Sequence, residues 1–431
     1  MKVAADQSAR KDFEGSDLIV AEEQTVSYGN PTLRFTQRTA RVTVVLTDYT
    51  EERMFVRLTG LSTENGNPAQ ITPYNKGGDT YTALVAPQSV ATGTAFITCK
   101  FTNGKVFVYK MKNDTDWQAG KEYTYTVSLA AAKDPGYTVS EDGKTYTVTS
   151  ADGLLAWNEA VQKDMTLNCT LADNIDLTGK DWTPIGTSFG NSYTGTFDGN
   201  GKTITGLTVT GSDRYTGLFG FIKGTVKNVV LTEINITSGT FVGGVAGWSF
   251  GGNIENCSVS GSVSGSDVGG VVGYQQGGSI TGCSSSATVK GTQRAGGVAG
   301  TTNSGATLTA CYATGDVTVE NDGTSNAWAG GVVGSNAYST VIACYAAGNV
   351  SGTGSGTIHV GGVTGENFDG TLTACYWSGL PDNDNGGATK VDGTTVTWQT
   401  AVAAMNAALS GKGWQYELKD GNSLPTLKKE Q

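Results

Sequence analysis

Histidine is nearly absent: His359 stands alone in 431 residues. A zinc hydrolase of the HExxH type is thereby excluded, and any Ser/His or Cys/His mechanism would have to pass through this one side chain. Basic charge is thin, with 29 Lys and Arg against 39 Asp and Glu and a net charge of −10. No basic stripe is left to meet a phosphate backbone, so nucleic acid is not an expected partner. No apolar run approaches the ~20 residues that span a bilayer. The opening Met1–Asp6 holds no signal-peptide core, which leaves a cytosolic chain or one that begins after a removed export signal. Proline is scarce at 8, and the 7 cysteines are odd in number and scattered. They do not gather as metal ligands would; no metal and no cofactor are expected.

What is abundant is glycine, 62 residues, about twice the usual ~7% and without a G-X-Y period. It marks a repeat. The phrase GGVxG recurs at Gly243–Gly247, Gly269–Gly273, Gly296–Gly300, Gly330–Gly334 and Gly361–Gly365, with a weaker TGLFG at Thr216–Gly220. Eight to ten residues after the third position of each comes Val226, Ile254, Ile280, Leu308, Val341 or Leu372. Three residues further comes Val229, Cys257, Cys283, Cys311, Cys344 or Cys375. Ile204 with Leu207 obeys the same offset and reads as a seventh, earlier copy.

Copies of roughly 26 to 34 residues, rich in Gly, Val, Ser and Thr, favour short strands and tight turns over helices. Each reads as one coil of about three strands. Stacking coil on coil at ~4.8 Å lines up equivalent positions, so the aliphatic and Cys columns become ladders inside a single-stranded parallel β-helix. One repeat cannot bury its own apolar face; its neighbours cover it. The fold class is therefore all-β, with the coil over 137–430. Ala151–Lys163 and the region 398–430, including Thr400–Leu409, are expected to cap its ends.

Residues 1–130 share none of this repeat. Alternation at Arg41–Leu46 and Tyr123–Leu129, with further strands at Met54–Leu58, Thr80–Val85, Phe96–Phe101 and Lys105–Tyr109, predicts a β-sandwich of about seven strands. Asn103-Gly104 and Ala119-Gly120 read as turns, and 131–136 as a linker.

The Cys-column residues read as buried, inert thiols. The residue after each Cys should point outward if the Cys points in, which stacks Tyr312, Tyr345 and Tyr376 on the exterior of successive rungs. These three, with Trp328 in a long insertion and Trp248 in the turn after GGVxG, are the ligand-binding candidates. His359 falls in a second insertion and reads as a surface-loop residue. Asp267, Asp316, Asp322 and Asp369 occupy different repeat positions, so no paired carboxylates stand at catalytic spacing and no catalytic residue is assigned. Asp382-Asn383-Asp384-Asn385 carries calcium-type oxygens but reads as a solvated turn.

Two resemblances follow. WTPIG at 182–186, GTFDGNGKTITGLTV at 195–209 and the GLFG/GGVxG series resemble the GLUG-repeat family of large secreted bacterial proteins, which includes adhesins and some immunoglobulin-cleaving proteases. PTLRFTQRTARVTV (31–44), YTALVAPQSV (81–90), GKVFVYKM (104–111) and WQAGKEYTYTVSL (117–129) resemble the fimbrillin-like domains of Bacteroidales surface proteins. A lipoprotein-type N-terminus and a second sandwich are lacking, and the proteases' catalytic motif has no counterpart. Together the resemblances imply an exported protein at the cell surface, held at the outer membrane by an N-terminal lipid anchor outside this chain. Its expected role is a non-catalytic adhesin presenting the coil face to a host or bacterial glycan or protein. The alternatives are a polysaccharide-processing β-helix enzyme and a pilus accessory or tip subunit.

Overall fold

The computed structural model describes residues 3–21, 29, 33–48, 54–101, 106–129, 136–419 and 423–430. The Asn103-Gly104 turn and most of the 131–136 linker lie outside the described residues. The chain divides into two compact units, Met1–Thr138 and Val139–Gln431.

The first unit is a sandwich. One sheet orders Glu122–Ser128, Ala40–Thr47, Thr80–Val85 and Tyr74–Gly77; the other orders Met54–Leu58, Ala95–Phe101 and Val106–Lys110. Alternation along Ala40–Thr47 sends Val42, Val44 and Leu46 into the core, where they meet Val56, Phe96 and Ile97 of the facing sheet. Trp117 is buried there and donates its indole N–H to the Tyr125 hydroxyl at 2.8 Å. The pair Ala40–Thr47 and Glu122–Ser128 is parallel, a feature that alternation alone does not reveal.

The second unit is a parallel β-helix. Val226, Ile254, Ile280, Leu308, Val341 and Leu372 pair rung upon rung in one register. The column continues upstream through Phe197 and Cys169, which corrects one expectation. Ile204 pairs instead with Ile175 and Leu231 on another face, and Thr208, next to Leu207, pairs with Asn235. Both Ile204 and Leu207 are buried, but neither belongs to the Val226 and Val229 columns. The turn Gly199–Lys202 lengthens this rung, so the offset of three recurs in the next strand by coincidence.

Val229 and the five repeat cysteines are all buried and the cysteines are free thiols. Each of four thiols lies within reach of the carbonyl of the aliphatic residue in the rung before: Cys257 to Val226 (3.8 Å), Cys283 to Ile254 (3.6 Å), Cys311 to Ile280 (3.5 Å) and Cys375 to Val341 (3.4 Å). The column thus suits a small, apolar side chain, to which the thiol adds a weak donor. Burial pushes the Cys283 and Cys344 thiols well above the ordinary range and Cys375 up to about 12. A thiol whose pKa is raised on folding stabilises the fold fully below its unfolded value, ~8.5, and that contribution is lost as pH climbs through the folded value. The coil is therefore expected to lose urea resistance progressively between about pH 8.5 and 12, and its thiols to stay unlabelled by Ellman's reagent at neutral pH until it unfolds. Urea midpoints that hold level across that window would contradict this.

Immediately before the Cys column the backbone turns through the left-handed region at Asn228, Asn256, Gly282, Ala310, Ala343 and Ala374 (φ 49–65°). Asn and Gly accept this conformation with little strain; Ala does so less readily. The asparagines form a ladder, Asn256 Nδ2 donating to Asn228 Oδ1 at 2.8 Å and Asn228 Nδ2 to Asp198 Oδ1 at 2.9 Å.

The helix Ala151–Val161, capped by Ser150 Oγ accepting from Gly153 N (3.1 Å), closes one end: Trp157 packs on Phe197, Tyr193 and Phe219 of the first rungs. The C-terminal segment does something different from the end cap expected. Its helix Trp398–Ala408 and hairpin Trp414–Glu417/Thr426–Lys429 form a strap along the side of the coil. Trp398, Met405, Trp414 and Tyr416 pack on Ala310, Ala343 and Tyr345. Ala, with no polar group to desolvate, suits the covered rungs. At Gly282 an added Cβ would collide with the Trp414 indole.

The open end is closed instead by the turn after Trp377. Asp384 accepts backbone N–H groups of Val363 (2.8 Å), Thr364 (2.7 Å), Gly386 (2.7 Å) and Ala388 (3.1 Å). Asn385 donates to the Gly365 carbonyl at 2.7 Å and Asn383 to that of Val360 at 3.1 Å. The cluster is thus a plug for the edge groups of the last rung, and not the solvated turn its composition indicates.

Candidate functional site

The tyrosine strip is only partly exterior. Tyr312, Tyr345 and Tyr376 do pair in register, and the rings of Tyr312 and Tyr345 lie parallel at 5.0 Å and 2°. Tyr345, however, is 1% exposed beneath the strap and donates its hydroxyl to the Pro425 carbonyl at 2.6 Å. Tyr376 is half-buried against the same apolar cluster. Outward-pointing aromatics need a cover, and the apolar face of the C-terminal helix supplies it. Tyr312 and Tyr376, each half-buried at the edge of the strap, keep a solvent-facing side.

Trp248 and Trp328, chosen for different reasons, fall on one face. Each GGVxG phrase makes a corner where the chain crosses between sheets at backbone contact; a Cβ on Gly296 would collide with the Ala299 carbonyl oxygen and lie 2.7 Å from Gly334 N. No side chain larger than hydrogen fits. The residues flanking the phrase are thereby brought side by side on the outside. One column reads Tyr215, Phe241, Asp267, Arg294, Trp328 and His359. Its neighbour reads Phe221, Trp248, Tyr274, Thr301, Ser335 and Glu366. Trp328 and His359 are therefore strand residues, in Ala327–Gly330 and Ile358–Gly361, and not insertion-loop residues.

The first half of this face is aromatic. Trp248 stacks on Tyr274 (4.1 Å, 20°) and on Phe221 (5.9 Å, 9°), with Phe241 edge-on at 4.6 Å. Arg214 sits over the Tyr215 and Phe241 rings at 5.3 and 5.8 Å. The second half is polar. Arg294 Nη1 bridges both Asp267 oxygens at 3.1 and 3.2 Å and lies 5.1 Å over Trp328, which stacks on His359. Burial lifts the Asp267 carboxyl above its ordinary range against the pull of Arg294. Three buried polar atoms here lack a protein partner: Trp248 Nε1, Arg294 Nε and Thr301 Oγ1. Phe241, Asp267, Tyr274, Arg294 and Thr301 escaped selection from sequence, yet their constant spacing of seven across each GGVxG phrase was there to find.

Residues 1–152 match the family model for fimbrillin-like domains, and residues 238–264 and 264–290 each match the GLUG motif. Those two segments are single rungs of the coil: Ser264 pairs with Thr237 before it and Lys290 after it. A stretch of 108 residues is 36% identical to halomucin of Haloquadratum walsbyi, covering 22% of this chain and 1% of that one. The chain thus spans a very small part of the curated relative it matches. Among solved structures, a candidate immunoglobulin A1 protease of Bacteroides ovatus superposes with TM-score 0.53 at 20% identity, over 68% of this chain and 94% of its own; the likeness is one of fold. A fimbrial protein of Bacteroides ovatus aligns over 33% of each chain at 18% identity, with a TM-score of 0.20 that carries no argument. By its family matches, the chain joins an N-terminal fimbrillin-like domain to a GLUG-motif β-helix.

Proposed function

We propose that the chain is a cell-surface binding protein, an adhesin, which holds a glycan or protein ligand along the corner face of its coil. The fimbrillin-like match supports the surface location. The observation that carries the reading is the juxtaposition, on one rigid face, of an aromatic cluster with Trp248 Nε1, Arg294 Nε and Thr301 Oγ1. A buried polar group left without a partner costs about 1–3 kcal/mol, so a face that keeps three of them is built for something besides stability. Aromatic rings beside fixed polar groups are the usual make-up of a recognition site.

A glycan array and immobilised host-matrix proteins, read with the full chain, provide the test. Tyr274→Thr puts on its rung the kind of residue that the next rung carries at Thr301, so the fold is expected to persist while affinity falls about tenfold or more, 1.4 kcal/mol. Trp328→Ala should weaken the same ligand, and Phe55→Ala, exposed in the first unit, should not. A folded protein with no ligand above background, or Tyr274→Thr binding like the parent, would sink the proposal.

A further inference from the structure

Beside the strap lies a second recess, and its lining differs in chemistry from the corner face. The column that holds the tyrosines reads, from earlier rungs, Val230, Ser258, Ser284, Tyr312, Tyr345, Tyr376. Where tyrosine gives way to serine the surface drops. Two adjoining depressions of about 150 and 220 Å³ share Ser258, Ser284 and Tyr312. Each is smaller than the roughly 300–1,000 Å³ of an enclosed small-molecule site, so together they make a shallow trough along the coil axis.

Stacked rings offer their edges to solvent; only the last ring of a stack offers a face. Tyr312 is that last ring, because one of its faces is taken by Tyr345 and the next rung brings only Ser284. Trp414 of the strap lines the same end of the trough. The remaining lining is uncharged and rich in hydroxyls, among them Thr232, Ser260 and Ser286 beside the two shared serines. The strands beneath are paired on both sides, so no backbone group is left for a peptide to join as an added strand. What remains is a row of hydroxyls repeating every ~4.8 Å, close to the length of one pyranose unit, ending on an aromatic face.

From this we infer that the trough is a second binding site, for an unbranched neutral hexose chain whose terminal ring packs on the Tyr312 face. The site stands independently of the corner face. Its probes are cellohexaose, maltohexaose and laminarihexaose, with hexagalacturonate as the charged counterpart, mixed with the full chain and followed by saturation-transfer NMR and by tryptophan fluorescence. At least one neutral hexamer is expected to receive saturation and to perturb Trp414. Ser284→Tyr extends the tyrosine stack by one rung, with a side chain the column already carries, and fills the trough; the dissociation constant should rise about tenfold or more. Tyr274→Thr should leave it unchanged, which separates failure here from failure of the corner face. Should Ser284→Tyr be unstable, Ser258→Gln obstructs the far end and should give the same loss. Silence from every neutral hexamer at millimolar concentration, unaltered binding by the obstructed variant, or loss of the signal in Tyr274→Thr would overturn the assignment.

Discussion

Tyr345→Ala is expected to release the C-terminal strap at a cost of about 3–5 kcal/mol, the range for truncating a fully buried aromatic. The ring is 1% exposed, stacks on Tyr312, and meets Trp398 and Tyr416 edge-on at 5.0 and 5.7 Å. Its hydroxyl also satisfies the Pro425 carbonyl. Truncation opens a cavity between strap and coil and orphans that carbonyl, while the ladders inside the coil keep all their partners. Hydrogen exchange should therefore rise across 398–429 and stay low in the Val226–Leu372 column. Tyr345→Phe removes the hydroxyl alone and should cost about 1 kcal/mol. Strap amides as protected in Tyr345→Ala as in the parent would show that the strap is held by something else.

Gly296→Ala should be more damaging still. The added methyl would collide with the Ala299 carbonyl oxygen and crowd Gly334 N of the next rung. Both are backbone atoms, locked by ladder pairing, so the clash cannot be relieved by a rotamer change. A loss beyond about 4–5 kcal/mol is expected, seen as insoluble protein or as a coil that melts far below the parent. Gly305→Ala is the control. Gly305 has φ +77° and nothing within 4 Å of a Cβ, so only left-handed strain of about 1–2 kcal/mol applies. Equal melting of the two variants would refute the close-approach explanation of the GGVxG phrase.

The coil was legible because its register is written in spacing. Ile254, Ile280 and Leu308 stack where their constant offset from GGVxG puts them. That logic misled at Ile204 and Leu207, where an extra turn shifts the strand and a local offset imitates the repeat. Tyr345 was misjudged for another reason: alternation says which way a side chain points, but not what later folds over it, and its cover arrives 53 to 71 residues downstream at Trp398 and Tyr416. Asp384 reads as loop composition because its partners are backbone amides, which have no sequence signature. The corner face was half-legible. Trp248 and Trp328 stood out as rare aromatics, while Asp267, Arg294 and Thr301 are ordinary residues made notable only by the rungs that set them side by side.

The strap also decides where such a molecule can grow. It grips the rungs from Gly282 to Tyr376 at fixed points, so a duplicated turn inserted there would pull its anchor points apart. Near 238–264 the strap reaches Glu255 by an exposed ion pair from Lys429 at 2.9 Å, worth at most about 1 kcal/mol, so a turn duplicated there meets a weaker restraint and the asparagine corners extend. Lengthening is therefore confined to the stretch ahead of the strap, and relatives of different reach should differ in turn number there while keeping the strapped block constant.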